Sequence, residues 1–237
     1  DLYTGMQAPK ISSDLAEVEG SAKAFASRYR GKLKEIDDIN FGQSILEYEN
    51  ITEVLARLLS YAQLLFAANA ENPDIAAFYQ DMTERVTEIS SITIFYELEI
   101  NRFEDAVLSK KMNHPTANKF KSWIETKRAY KPYQLTDDLE KLFHEKFVTG
   151  RASWSRLFDE TMAGMRFEVD GREISNSQIM SKMSDKDYHV RKKAAKSFGA
   201  GLEKNIKLFS LITNTLAKDK DIEDNWRNFP RPVSSRN

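Results

Sequence analysis

Between residues 12 and 30 the apolar side chains fall at Leu15, Val18, Ala22, Phe25 and Tyr29, the three- and four-residue steps that line one face of an α-helix. Ser12 or Ser13 stands where a hydroxyl caps the free N–H groups, and Gly31 where a helix stops. From about Phe41 to Ala68, the set Ile45, Tyr48, Ile51, Thr52, Leu55, Leu58, Leu59, Ala62, Leu65 and Phe66 keeps the same period and predicts a long amphipathic helix. Asn72-Pro73-Asp74 restarts the chain, with Asn as cap, Pro where a missing N–H costs nothing, and Asp against the positive end of the helix. Ile75, Phe78, Tyr79, Met82, Val86, Ile89, Ile92 and Phe95 then mark a second long helix. So short a connection makes the two an antiparallel pair, the backbone of the fold.

Beyond Asn101 the elements shorten. Weak helical patterns cover 104–111 and 116–129, the second with Phe120, Trp123 and Ile124 on one face. Lys131-Pro132-Tyr133 interrupts, because the residue before proline avoids the α region. A helix restarts at Thr136 with Asp137 and Asp138 in its first turn, and Leu139, Leu142 and Phe143 are expected to face inward. Another, over about 152–165, carries Trp154, Leu157, Phe158, Thr161 and Met162 on its apolar side. Then the period changes: Phe167, Val169 and Ile174 flank Asp170-Gly171, whose readiness for positive φ predicts a tight β-hairpin. Ser184, Asp185 and Asp187 open a further long helix through Val190, Ala194, Phe198, Leu202, Ile206, Phe209, Ile212 and Leu216, with Gly199 and Gly201 as sites for a kink. The residues from Asn228 onward carry two prolines and no period, so they read as an extended connector at which the chain is cut.

Composition agrees with these elements. Nine glycines and six prolines in 237 residues, with 30% charged and 41% hydrophobic, suit long exposed helix faces over a proper core. The fold class expected is mainly α: a multi-helix antiparallel bundle with long helices and one small β-hairpin near 166–174. A net charge of −1 supplies no field for nucleic acid or an anionic bilayer, and neither is expected as a partner. The absence of cysteine excludes disulfides and thiolate metal sites and agrees with a cytoplasmic location. The first residues have neither a basic segment nor an apolar run, and no stretch is expected to supply the roughly 20 apolar residues of a membrane span.

The chemistry-bearing residues form no recognisable site. His144-Glu145 begins like a zinc-protease motif, but the second histidine one helical turn on is replaced by Val148. A surface or interhelical role suits His144 better, and His114 and His189 stand alone in sequence. Asp37-Asp38, Asp137-Asp138 and the nearby Glu97 and Glu99 read as solvated faces or helix starts. Ser90-Ser91 and Ser234-Ser235 have no neighbouring base in sequence. Lys186, Arg191, Lys192, Lys193 and Lys196 form one basic cluster, and Lys119, Lys121, Lys127, Arg128 and Lys131 another. Both are interrupted by acids, as in salt-bridged helix faces. No catalytic, cofactor-binding or metal residue is assigned to this chain.

One resemblance stands out. The run from Asp138 to Trp154, containing Thr149-Gly150-Arg151-Ala152-Ser153-Trp154, continues into Arg156-Leu157-Phe158 and the hairpin Arg166 to Ile174. Together with Asp1-Leu2-Tyr3, Lys131-Pro132-Tyr133-Gln134-Leu135 and Thr213 to Lys220 it resembles the N-terminal region of oligoendopeptidase F, a family of thimet-oligopeptidase-like zinc metallopeptidases. The resemblance implies a parent enzyme that hydrolyses oligopeptides in the cytoplasm, with one zinc held by an H-E-x-x-H helix and a downstream glutamate, and with the motif glutamate activating water. No position here matches that motif. The implied division is a long-helix bundle over 1–111, the family's helical region with its hairpin over 112–200, and the start of a truncated catalytic domain over 201–237. The chain would then form a wall or lid of the substrate cleft, inactive alone and without zinc. Its partner would be the missing catalytic domain, and Phe209, Ile212 and Leu216 would be left exposed for self-association. The competing expectation is a self-contained helical module that offers a groove to a partner helix.

Overall fold

The computed structural model describes residues 2–236. The first helix, α1 (Pro9–Tyr29), starts earlier than the serines suggest, because Pro9 takes the first helical position. Ser13 bonds Glu17 instead of capping. Arg30 and Gly31, the latter at φ 75°, carry the chain away. Next comes α2 (Asp38–Ala68), capped by Asp37, whose carboxylate accepts the Asn40 N–H at 2.7 Å. Asn72 caps α3 (Pro73–Thr93) as expected, accepting from Asp74 and Ile75. The turn between α2 and α3 folds them back on each other, and α1 lies against both.

By length and composition α2 is apolar enough to cross a membrane, with a mean hydropathy of 1.3, contrary to the sequence expectation. Its apolar positions are occupied within the protein: Phe41, Ile45, Ile51, Leu55, Leu58, Ala62 and Phe66 are buried there. Gly42 permits an especially close approach of residues 115–118, since a Cβ at that point would lie 3.0 Å from the Thr116 side chain and 3.1 Å from the Ala117 nitrogen.

After α3 the chain turns through Ile94 into α4 (Phe95–Arg102), then α5 (Asp105–Met112). The pattern over 116–129 resolves into two pieces, α6 (Pro115–Asn118) and α7 (Lys121–Arg128), broken at Lys119 and Phe120. One hydrophobic core unites these elements. It runs from Tyr3 through Phe25, Phe41, Leu58 and Tyr96 to Ile124, so it extends past residue 111.

A 3-10 turn at Lys131–Tyr133 leads to α8 (Asp137–Lys146), a π-helical turn at Val148–Ala152, and α9 (Ser153–Gly164). The inward face expected of α8 is corrected in part. Leu139 and Phe143 are half-buried, but Leu142 is exposed, and His144 lies inward. On α9, Leu157 and Phe158 are likewise exposed. The hairpin is as expected: β1 (Phe167–Val169) pairs antiparallel with β2 (Arg172–Ile174), and Asp170 and Gly171 both have positive φ.

A helix the periodicity passed over, α10 (Asn176–Met183), begins with a capping box in which Ser175 and Gln178 satisfy each other's backbone N–H. The single long helix expected after it is two, α11 (Tyr188–Lys204) and α12 (Ile206–Arg227). The break falls at Asn205 and not at the glycines. Gly201 has a packing role instead: a Cβ there would lie 2.6 Å from the Phe167 ring. Met165, Phe167, Val169, Ile179 and Ala194 form a second, smaller core. Of the residues expected to be exposed on the last helix, Ile212 is buried and Phe209 and Leu216 are half-buried, whereas Ile206, Leu211, Ile222 and Trp226 are open to solvent. The segment after α12 is no free connector. Asn228 turns it in the left-handed region, Phe229 packs on Tyr133 with ring centroids 4.4 Å apart, and the Tyr130 hydroxyl donates to the Ser235 carbonyl at 2.7 Å.

Candidate functional site

The histidines are placed structurally. His144 Nε2 lies 2.8 Å from Ser90 Oγ, joining α8 to α3. The contact brings to Ser90 the neighbouring base that it lacks in sequence, and the Ser90 hydroxyl also lies 3.0 Å from the Thr87 carbonyl. Burial holds the His144 pKa below the ordinary histidine value, against the Thr87 backbone bond and the Glu145 and Glu97 charges, which act to raise it. His114 caps α6, and His189 packs edge-on to Tyr188. Among the described residues no group of three His, Cys, Asp or Glu side chains is placed to hold a metal ion, and Val148 is buried where a second zinc ligand would stand. The residues of this chain do not fit the zinc that the resemblance implies for a parent enzyme.

At least one member of each carboxylate pair is occupied. Asp37 caps α2, its pKa lowered first by the Asn40 backbone N–H. Asp137 pairs with Arg102, and Glu97 accepts from the Tyr48 hydroxyl and Lys127, each at 2.9 Å. Glu99 accepts the Gly31 N–H at 2.7 Å. Burial raises its pKa despite the Gly31 and Leu33 backbone bonds. The two basic clusters are also drawn into local bonds. Arg128 donates to the carbonyls of Ile100, Asn101 and Phe103, and Lys193 pairs with Asp170 at 2.8 Å. Arg191 and Lys192 lie over the exposed Tyr188 ring.

What tertiary structure builds, and sequence did not indicate, is a cavity of about 380 Å³ bounded by α4, α7, the Tyr130–Gln134 turn, α8, the end of α12 and the segment after it. Arg227 holds one side. Its guanidinium donates to both Glu140 oxygens, at 2.8 and 2.9 Å, while its Nε donates to Glu223 at 2.8 Å. The Gln134 amide donates to the Leu98 carbonyl at 3.2 Å. Gln134 Oε1 and Asn101 Oδ1 have no hydrogen-bond partner among the described residues. Of these residues Gln134 and Glu140 fall within segments the sequence had singled out, and nothing in the sequence joined them to Arg227.

A second cavity, of about 520 Å³, opens between α5 and α7 over Leu108, Met112 and Ile124, and Arg128 at its edge has its bonds already made. Several large apolar side chains are exposed: Leu142 and Phe147 near the end of α8, Leu157 and Phe158 on α9, and Ile206, Leu211, Ile222 and Trp226 on α12.

Comparison with known proteins adds a family to this geometry. Residues 99–167 match the family described as Oligopeptidase F. A curated relative, an oligoendopeptidase F homolog from Borreliella burgdorferi, is 24% identical over 156 residues, covering 65% of this chain and 26% of the relative. The crystal structure of oligoendopeptidase-F from Enterococcus faecium superposes with a TM-score of 0.83 at 17% identity, covering 96% of this chain and 46% of that one. A putative peptidase from Chlamydophila abortus gives 0.57 at 14% identity, covering 99% of this chain and 40% of that one. The resemblance drawn from the sequence motifs is thus borne out by family, relative and fold, and this chain spans less than half the length of each of these three proteins.

Proposed function

We propose, taking this chain as an N-terminal region of the oligoendopeptidase F type, that it forms one wall or lid of the substrate cleft in a zinc-dependent peptidase acting on short peptides in the cytoplasm, and is not itself catalytic. The observation that carries the reading is the match of residues 99–167 to the Oligopeptidase F family, with a curated relative of the same name. Two features of the structure support it. Of the side chains that begin a zinc motif, His144 is built into a helix contact and Glu145 pairs with Lys141 on its own helix, with no metal-holding group among the described residues. The exposed apolar residues lie mainly after residue 130, on α8, α9 and α12, where a further part of a longer chain would have a face to cover. In the intact enzyme, zinc would polarise the scissile carbonyl and activate water. That chemistry falls to residues outside this chain, and what this chain contributes is shape: long rigid helices that bound the cleft and exclude folded proteins.

The test is direct. The purified chain, incubated with zinc and an internally quenched oligopeptide, is expected to give no cleavage, while the longer product of its gene cleaves the same peptide and loses activity to a chelator. Chelator-sensitive hydrolysis by this chain alone would overturn the non-catalytic assignment. A gene with no H-E-x-x-H segment downstream would overturn the peptidase itself.

A further inference from the structure

The second core is small and rich in sulfur. The chain contains no cysteine, so its oxidisable sulfur is all thioether, in seven methionines. Met162, Met165 and Met183 belong to the second core and Met180 lies on the same helix as Met183, whereas Met82 and Met112 are set in the much larger first core. Accessibility divides the four. Met180 is 49% exposed and Met165 only 8%, while Met162 and Met183 are half-buried and pack against the core. Met165 lies in the tightest packing of the region, since a Cβ at Gly201 would stand 3.2 Å from its methyl carbon. The elements that rest on this core have little support of their own. β1 and β2 are three residues each and form a sheet of two strands, and α10 has eight residues. Neither a two-stranded ribbon nor so short a helix is stable in water without apolar packing.

We propose that Met162 and Met183 are sites of reversible oxidation, through which hydrogen peroxide loosens α10 and the hairpin from α11. A sulfur lone pair forms a bond to one peroxide oxygen, the O–O bond breaks, and water leaves. The thioether thereby gives two electrons to the peroxide and becomes a sulfoxide, which a methionine sulfoxide reductase returns to the thioether. At these two positions the polar S–O group is set against a core built of Phe167, Val169, Ile179 and Ala194, whose side chains have no hydrogen-bond donor for it. Met180 has its side chain in solvent and is oxidised without that effect, and Met165 is shielded until the core has opened. The proposal does not rest on the peptidase assignment, and its failure would leave that assignment standing.

The experiment treats the chain with graded hydrogen peroxide, locates each sulfoxide by peptide mass mapping, and follows amide hydrogen exchange in the same samples. Met180 is expected to oxidise first with exchange unchanged. Oxidation of Met162 and Met183 should then raise exchange in β1, β2 and α10 by about tenfold or more, with α2 and α3 unaffected, and reductase treatment should reverse the rise. Met162→Leu with Met183→Leu, a swap that nearly conserves volume, should abolish the response, whereas Met180→Leu should leave it intact. The reductase reversal tests the unsubstituted chain, so it serves even where the double variant fails to fold. Unchanged exchange after both residues are oxidised, Met162 and Met183 left unoxidised by peroxide that fully converts Met180, or an undiminished response in the folded double variant would each overturn the proposal.

Discussion

Gly199 and Gly201 are two residues apart on α11, yet their substitution is expected to act in opposite directions. A Cβ at Gly199 meets nothing within 4 Å, so Gly199→Ala should stabilise by roughly 0.5–1 kcal/mol through helix propensity. At Gly201 the same methyl would stand 2.6 Å from the ring of Phe167, itself 1% exposed and unable to swing away. Gly201→Ala should therefore cost about 1–3 kcal/mol through overpacking. Urea denaturation of the two variants checks the signs, and equal effects would remove the packing argument. His144 gives a pH dependence of defined sense. Because burial lowers its folded pKa below the unfolded value of about 6.5, the unfolded chain binds more protons at this site between the two values. Stability is complete above that window and falls as pH drops through it. NMR titration of the ring should give a pKa below the ordinary value, and His144→Gln should flatten the stability profile in that range.

At the scale of elements, α8 poses the clearest question, because none of its residues is fully buried. Polar contacts hold it at intervals along its length: Asp137 to Arg102, Glu140 to Arg227, and His144 to Ser90. The Glu140 and Arg227 side chains are only 12% and 16% exposed, so removing one partner leaves the other poorly solvated. Arg227→Met is expected to cost about 2–4 kcal/mol. Adding Glu140→Leu should restore much of it, since an apolar pair carries no unpaired charge. A double mutant no more stable than Arg227→Met alone would mean that the pair is not what secures α8. The sequence showed this helix and its acidic first turn, but period alone assigned Leu142 to the inside, and the exposed face of a half-buried helix depends on what packs beside it. The capping box at Ser175 and Gln178 marks α10 and lies within four consecutive residues, yet the reading by apolar period passed over it. The break at Asn205 was not, since the apolar spacing runs through it unchanged.

For the whole molecule, the two cores differ in size. The first gathers side chains from Tyr3 to Ile124, and the second is built on Met165, Phe167, Val169, Ile179 and Ala194. Less buried apolar area means a lower free energy of local opening. Amide hydrogens in β1, β2 and α10 should therefore exchange at lower opening free energy than those in α2 and α3. Uniform protection across both regions would show a single cooperative unit. Local sequence determined most of the helices, the hairpin and the family resemblance, because periodicity, caps and turn residues act over a few positions and are written consecutively. Tertiary structure alone decided the cavity beside Arg227, the partner of His144 and the faces of α8, α9 and α12. Those features join residues as far apart as Tyr130 and Ser235, 105 positions along the chain. Such contacts follow from how finished helices pack, and no spacing within one helix encodes them.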